Sequence, residues 1–260
     1  MDTVYVIKIG GNIIDNEAAL ASFLKDFATV PGKKVLVHGG GKLATQLAAR
    51  LGVEQQMVDG RRITDAETLK IVTMVYAGYI NKNVVAQLQS YGCNAIGLTG
   101  ADGNVIQAHK RKHATMDYGF VGDIDAVNTG LLQSLLEQNI TVVAAPITHD
   151  AHGQLLNTNA DTIAQELATA LGKQYAVQLI YSFEKKGVLL DVNDESSVIP
   201  VIDTNSYADL KSRQLIFAGM IPKLDNAFSA LQSGVSKVII GKAEELQELI
   251  SGRSGTTISQ

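Results

Sequence analysis

Two lysines stand where local structure gives them little reason to be. Lys8 ends the β-branched run in VYVIKIGGN (Val4 to Asn12), just ahead of Gly10 and Gly11. A parallel strand delivers its last side chains to the crevice where ligands bind, so Lys8 is expected to point into it. Lys223 falls in the first turn of the helix predicted for IPKLDNAFSALQSG. A cation there opposes the helix dipole, so local stability does not account for it. Between them lies HGGGKLA (His38 to Ala44), three glycines that follow a strand and open a helix. Glycines let backbone approach a ligand closely, and N–H groups at a helix start suit an anion. NTNAD adds Asn157 or Asn159 as a helix cap and Asp161 in the first turn, where a carboxylate favours the dipole. Arg61 and Arg62 precede a helix capped by Thr64 or Asp65, and arginine is the planar, bidentate partner of carboxylates.

The elements that must position these groups alternate. VYVIKI, AALASFLKDFATV, KKVLV and KLATQLAARLG read strand, helix, strand, helix, the pattern of a mostly parallel sheet covered by helices. DAETLKIVTMVYAGYINKNVVAQLQSYG reads as one long helix ended by Gly92. CNAIGLTG and ITVVAAP are further core strands, and Gly103 to Asn128 reads as β-hairpins. Ile163, Leu167 and Leu171 repeat every four residues in a helix closed by Gly172. AVQLIYS and SKVIIG are strands of a second lobe; Leu224, Ala227, Phe228 and Leu231 form the apolar face of its helix.

Bulk properties exclude several classes. The chain has 260 residues, 46% hydrophobic and 18% charged, with a net charge of −4. That supports a sizeable core and gives no general affinity for nucleic acid. No apolar run is long enough to span a bilayer, and no secretory signal opens the chain. Cys93 is the only cysteine, read as a small buried residue in a reducing cytoplasm. Gly39, Gly41 and Ala44 formally fit the dinucleotide fingerprint G-x-G-x-x-A, but a dehydrogenase leaves Lys8, Lys223 and Asp161 without work. Leu43 after Lys42 excludes a Walker A loop. His109 and His113, in the basic run HKRKH, lack the spacing and the third ligand of a metal site.

KIGGN, VHGGG, GRRITD, MVYAGYINK, GLTGADG, GFVGDID, NTNAD, AGMIPK and GTTI, in that order along nearly the whole chain, resemble the amino acid kinase family. The resemblance implies a three-layer α/β/α sandwich with a mostly parallel central sheet. Residues 1–173 would bind the acyl-amino acid and form a homodimer, and residues 174–260 would bind ATP, over one continuous sheet. It implies transfer of the γ-phosphoryl group of ATP, with Mg²⁺ carried by the nucleotide, to the side-chain carboxylate of N-acetyl-L-glutamate in arginine biosynthesis. By similarity, Lys8 and Lys223 stabilise the transferring group and Asp161 orients them. Gly11 and Gly40 would contact that phosphoryl group through backbone. Gly40, Gly41, Arg62 and Asn157 would form the acyl-glutamate site, Arg62 holding the α-carboxylate. This agrees with the chemistry of the residues, since a phosphoryl group in flight spreads negative charge over its oxygens and calls for ammonium and N–H groups aimed at it. The chain departs from the family at Glu184 in YSFEKKG, where an aspartate near the nucleotide is usual, at Lys42 in place of a frequent proline, and at Arg61 in place of a leucine. It also begins directly at its first strand, without the extra helix of arginine-inhibited members, so no such feedback is expected.

Overall fold

The computed structural model describes residues 1–58, 61–216 and 220–259. Gly60 of GRRITD, and Ala218 and Gly219 of AGMIPK, lie outside them. In chain order the strands are β1 (Thr3–Ile9), β2 (Lys33–Val37), β3 (Met57–Val58), β4 (Arg61–Arg62), β5 (Ala95–Leu98), β6 (Ile106–Lys110), β7 (Gly122–Val127), β8 (Thr141–Ala144), β9 (Ile147–His149), β10 (Leu155–Asn157), β11 (Ala176–Phe183), β12 (Val201–Ile202), β13 (Lys237–Lys242) and β14 (Thr256–Ile258). The α-helices are α1 (Gly11–Ile14), α2 (Glu17–Thr29), α3 (Gly41–Arg50), α4 (Ala66–Thr73), α5 (Asn81–Ser90), α6 (Thr129–Glu137), α7 (Ala160–Leu171), α8 (Thr204–Ser212), α9 (Ile221–Gln232) and α10 (Leu246–Ser251).

The main sheet runs β12-β14-β13-β11-β1-β2-β8-β5, parallel at every pairing except β13 with β14. Side chains alternate across it, so each central strand splits its apolar residues between two layers. On β1, Val4 and Val6 join α6, α7, α8 and α9 in one layer, while Ile7 and Ile9 join α2, α3, α4, α5 and α10 in the other. The result is the expected α/β/α sandwich. The same alternation puts Lys8 on the face of Val4 and Val6, toward α7 and α9. On α7, burying Ile163, Leu167 and Leu171 contributes roughly 1.5–3 kcal/mol each and fixes the helix whose first turn carries Asp161.

A second sheet, β10-β9-β6-β7, stands over the carboxyl end of the first. Gly103 to Asn128 supplies one antiparallel pair, β6 with β7, rather than several hairpins. The connection between those strands makes other backbone bonds: Thr64 N–H donates to Tyr118 O (2.9 Å), Phe120 N–H to Thr64 O (2.6 Å) and Asn157 N–H to Phe120 O (2.8 Å). These bonds seat RRITD and NTNAD against one another.

The long helix forms as expected from Ala66 to Ser90, but Met74–Ile80 is wound as a π-helix. Its wider turns bring Tyr76 and Ile80 against Gly40, whose φ is 146°. Only glycine tolerates that φ, and a Cβ there would collide with Ile80 Cδ1. Behind the loop, fully buried His38 donates from Nδ1 to Gly39 O (2.8 Å). Asn81 Nδ2 donates to Val143 O (3.0 Å) and to His38 Nε2 (3.2 Å). Ile80 and Asn81 of the INK segment are thus a buried bracket for the glycine turn.

That bracket requires a neutral imidazole, and burial draws the His38 pKa down to about 4. A depressed value means the unfolded chain takes up the proton first, so stability present above about pH 6.5 is lost as pH falls toward 4 and levels off below it. The expected loss from this group is about 3 kcal/mol. Urea unfolding of the protein and of His38→Gln between pH 7.5 and 4 checks it: the difference between the two must shrink as pH falls.

Candidate active site

Asp161 is the meeting point of Lys8 and Lys223. Lys223 Nζ donates to Asp161 Oδ2 at 2.6 Å, and Lys8 Nζ lies 2.8 Å from Oδ1 as an ion pair, off the angle of a hydrogen bond. Two ammonium groups near opposite ends of the chain therefore face one carboxylate. The Asp161 side chain is 16% exposed. Burial alone would push its pKa up, but Lys8 and then Lys223 outweigh it and hold the carboxyl well below the usual carboxylate range. Asp161 is therefore a fixed anion at neutral pH and no proton acceptor. Local sequence places it: Asn159 caps α7 by accepting from the N–H groups of Asp161 (2.8 Å) and Thr162 (3.2 Å), and Tyr181 OH donates to Asp161 O (3.3 Å).

Two glycine turns flank the cluster. Gly10 packs against β11, its N–H donating to Ser182 O (2.8 Å). At Gly11, first residue of α1, a Cβ would meet nothing within 4 Å. The protein's own packing does not require glycine there. Gly40 and Gly41 form the start of α3. Lys42 fastens the turns together: its Nζ donates to the Asn12 side chain and lies 3.9 Å from the Asp15 carboxylate.

Gly40, Gly41, Arg62 and Asn157 line one cavity of about 190 Å³, together with Tyr76, Arg61, Arg111, Pro146 and Asn159. The expected acceptor residues are thus gathered in one place, and Ala160, beside Asp161, forms part of its wall. Arg62 is 8% exposed and is positioned by Gln55 Oε1, Gly41 O (2.9 Å) and Thr45 Oγ1 (3.0 Å). Asn157 Nδ2 donates to Thr64 Oγ1 (3.0 Å). A second cavity of about 230 Å³ lies beyond β11. Phe183, Val188, Leu189, Val192 and Ile216 give it apolar walls, with Glu184 and Lys223 at its polar edge. Among the described residues no group of three His, Cys, Asp or Glu could hold a metal ion.

Residues 3–242 match the model of the amino acid kinase family. The chain belongs to that family. Its relatives include an acetylglutamate kinase of Cytophaga hutchinsonii, 61% identical over 96% of each chain, and one of Parabacteroides distasonis, 56% identical over 95% of this chain and 97% of that one. Among solved structures, the smu.665 protein of Streptococcus mutans UA159 superposes with a TM-score of 0.79 at 28% identity, over 99% of this chain and 98% of that one.

Other parts of this candidate site were not anticipated. Arg111 lines the first cavity, yet it sits in the basic run HKRKH, in which no residue is singled out for the site. The one hint is charge complementarity: HKRKH lies opposite GDID in the antiparallel pair, and Arg111 Nε reaches Asp123 at 3.0 and 3.1 Å. Tyr76 lines the cavity from within the π-helical turns.

Asp161→Ala leaves two part-buried ammonium groups without their anion. The expected cost is roughly 3 kcal/mol of folding stability, the low end for a broken buried pair, measured as the urea midpoint at pH 7.

Proposed function

We propose that this chain is an N-acetyl-L-glutamate 5-kinase of arginine biosynthesis, moving the γ-phosphoryl group of ATP to the side-chain carboxylate and giving an acyl phosphate. The observation that carries the reading is the Lys8–Asp161–Lys223 cluster, set where the two cavities approach each other: Lys223 lines one, and the residues just before Asp161 line the other. The relatives that bear the name acetylglutamate kinase support it along nearly their whole length.

In this reading residues 1–173 hold the acceptor and residues 174–260 the nucleotide. Arg62 grips the α-carboxylate of the acceptor, and Asn157 with the Gly40–Gly41 backbone aligns the rest. The apolar cavity beyond β11 suits the flat faces of an adenine, and we assign Glu184, which lines it, to the ribose. MgATP supplies the phosphoryl donor, the metal arriving on the nucleotide.

The acceptor carboxylate is already ionised at neutral pH, so its oxygen attacks the γ-phosphorus without a general base. The new O–P bond forms as the bond to the β-phosphate oxygen breaks, and ADP leaves. The principal barrier is repulsion between an anionic acceptor and the triphosphate, together with charge on the moving PO₃ unit. Lys8 and Lys223 offset both from two sides, and the N–H groups at Gly11 and Gly40 add fixed dipoles. Asp161 offsets the repulsion between the two ammonium groups and keeps them correctly aimed.

Exposed Met74 and Tyr79 on the long helix, beside Leu43 and Leu47 of α3, support a homodimer formed through this half. No helix among the described residues is long and apolar enough to cross a membrane, and we place the enzyme in the cytoplasm.

Lys8→Ala and Lys223→Ala are expected to lower kcat by about two or more orders of magnitude, as for loss of a charge stabiliser. The acyl phosphate is trapped as a hydroxamate to measure it; near-normal turnover in folded variants would end this mechanism. Arg62→Ala is expected to act mainly on the KM for the acceptor. Gly11→Ala separates ligand from fold: thermal stability should stay near that of the parent while turnover drops, because the added methyl meets only the transferring group.

A further inference from the structure

The three members of the Lys8–Asp161–Lys223 cluster are not anchored alike. Lys8 stands on a strand bonded to neighbours on both sides, and Asp161 opens a helix whose first N–H groups are taken by Asn159. Lys223 has neither support. It lies in the first turn of α9, where no side chain caps the helix and no acidic residue favours its start. The ammonium itself opposes the dipole there. The 2.6 Å bond to Asp161 holds only the far tip of a long, flexible side chain. The backbone that carries Lys223 needs another tether.

Helix α8 provides one. Buried Tyr207 donates its hydroxyl to Asp225 Oδ1 at 2.6 Å and stands 3.5 Å from Ile221 O, in the same opening turns as Lys223. Its ring stacks on Phe228 of α9, with centres 5.0 Å apart and planes 22° from parallel. Lys211, also on α8, donates to the same Asp225 oxygen at 3.3 Å, its Nζ 5.2 Å from the Tyr207 ring centre. Burial, and then the bond to Asp225, push the Tyr207 phenol well above its ordinary range, so it stays a donor at neutral pH. The Lys211–Asp225 pair is half exposed and contributes little to folding by itself. The segment joining the two helices puts Ile216 and Met220 in the wall of the cavity beyond β11, beside Lys223 itself. The clasp therefore ties that segment at its base, and it holds both a cavity wall and a lysine of the cluster.

We infer that Tyr207 and Asp225 are positioning residues for phosphoryl transfer: by clasping α8 to the opening of α9 they aim Lys223 at the group being moved. This rests on the kinase reading above.

The test is steady-state kinetics in the hydroxamate assay with MgATP and N-acetyl-L-glutamate, at a temperature where circular dichroism shows each variant folded. Tyr207→Phe keeps the ring stack and loses only the hydroxyl. Its kcat should fall about tenfold, within the roughly hundredfold that a misplacement of about 1 Å can cost, with the acceptor KM unchanged. Asp225→Ala should do the same, and Asp225→Asn, whose amide oxygen still accepts from the phenol, should recover most of the loss. The deciding readout is a double-mutant cycle. In a Lys223→Ala background, Tyr207→Phe should change kcat by less than about twofold, because no ammonium is left to aim. A clasp that only stabilises the fold would lower the melting temperature and leave kcat alone. Parent kcat in folded Tyr207→Phe and Asp225→Ala, or an equal loss in both backgrounds, overturns this inference and leaves the kinase reading intact. Should Tyr207→Phe not fold, Asp225→Ala, which alters a half-exposed side chain, carries the same cycle. No turnover by the unmutated protein removes the kinase reading, and this inference with it.

Discussion

Everything in the site depends on one carboxylate holding two cations. Asp161 is mostly withdrawn from water, and an isolated ionised carboxylate in such a place is costly. Lys8 and Lys223 reverse that cost, and in return neither lysine is left without a counter-charge. The arrangement needs three independent placements to agree. Lys8 must have the parity of Val4 and Val6, α7 must begin at Asn159, and α9 must begin close enough for its first turn to reach over. Each follows from a local rule: strand alternation, a side-chain cap and an amphipathic helix face.

The glycine turns solve the opposite problem, bringing backbone rather than charge to the same place. Gly40 is constrained by its own protein, pressed by the π-helical segment and locked from behind by His38 and Asn81. At Gly11 nothing in the chain stands where a side chain would go. A turn held rigid on one side and a turn left open on the other suit a ligand that must be both oriented and approached closely. Lys42 links them by a single side chain, a brace that no local pattern around it announces.

Much of this was legible in the residues alone. Alternating strands and helices predicted the layered sheet because each central strand is buried on both faces. The positions of Lys8, Asp161 and Lys223 stood out because a strand end and two helix starts are simple to read. What escaped is what local pattern does not encode. A π-helical stretch has the same apolar spacing as its α-helical neighbours over a few residues, so Tyr76 could not be aimed at the cavity. Arg111 gained its place from a pairing across the β6–β7 connection, and a run of five basic and neutral residues does not reveal which one is turned inward. The Gly103–Asn128 stretch looked like more than one hairpin because its glycines and short apolar runs carry no signal for the distant partners, Thr64 and Asn157, that claim its backbone.

The pairing of β1 with β11 has a consequence of another kind. All seven residues of β1 are matched to β11 on one side, so the strand that bears Lys8 is also the seam between the two halves of the chain. Neither half is a detachable module. A fragment ending near Gly172 would lay bare the whole flank of β1, a flat apolar edge of the sort that recruits foreign strands and drives aggregation. The placement of Lys8 and the covering of that edge rest on the same row of hydrogen bonds.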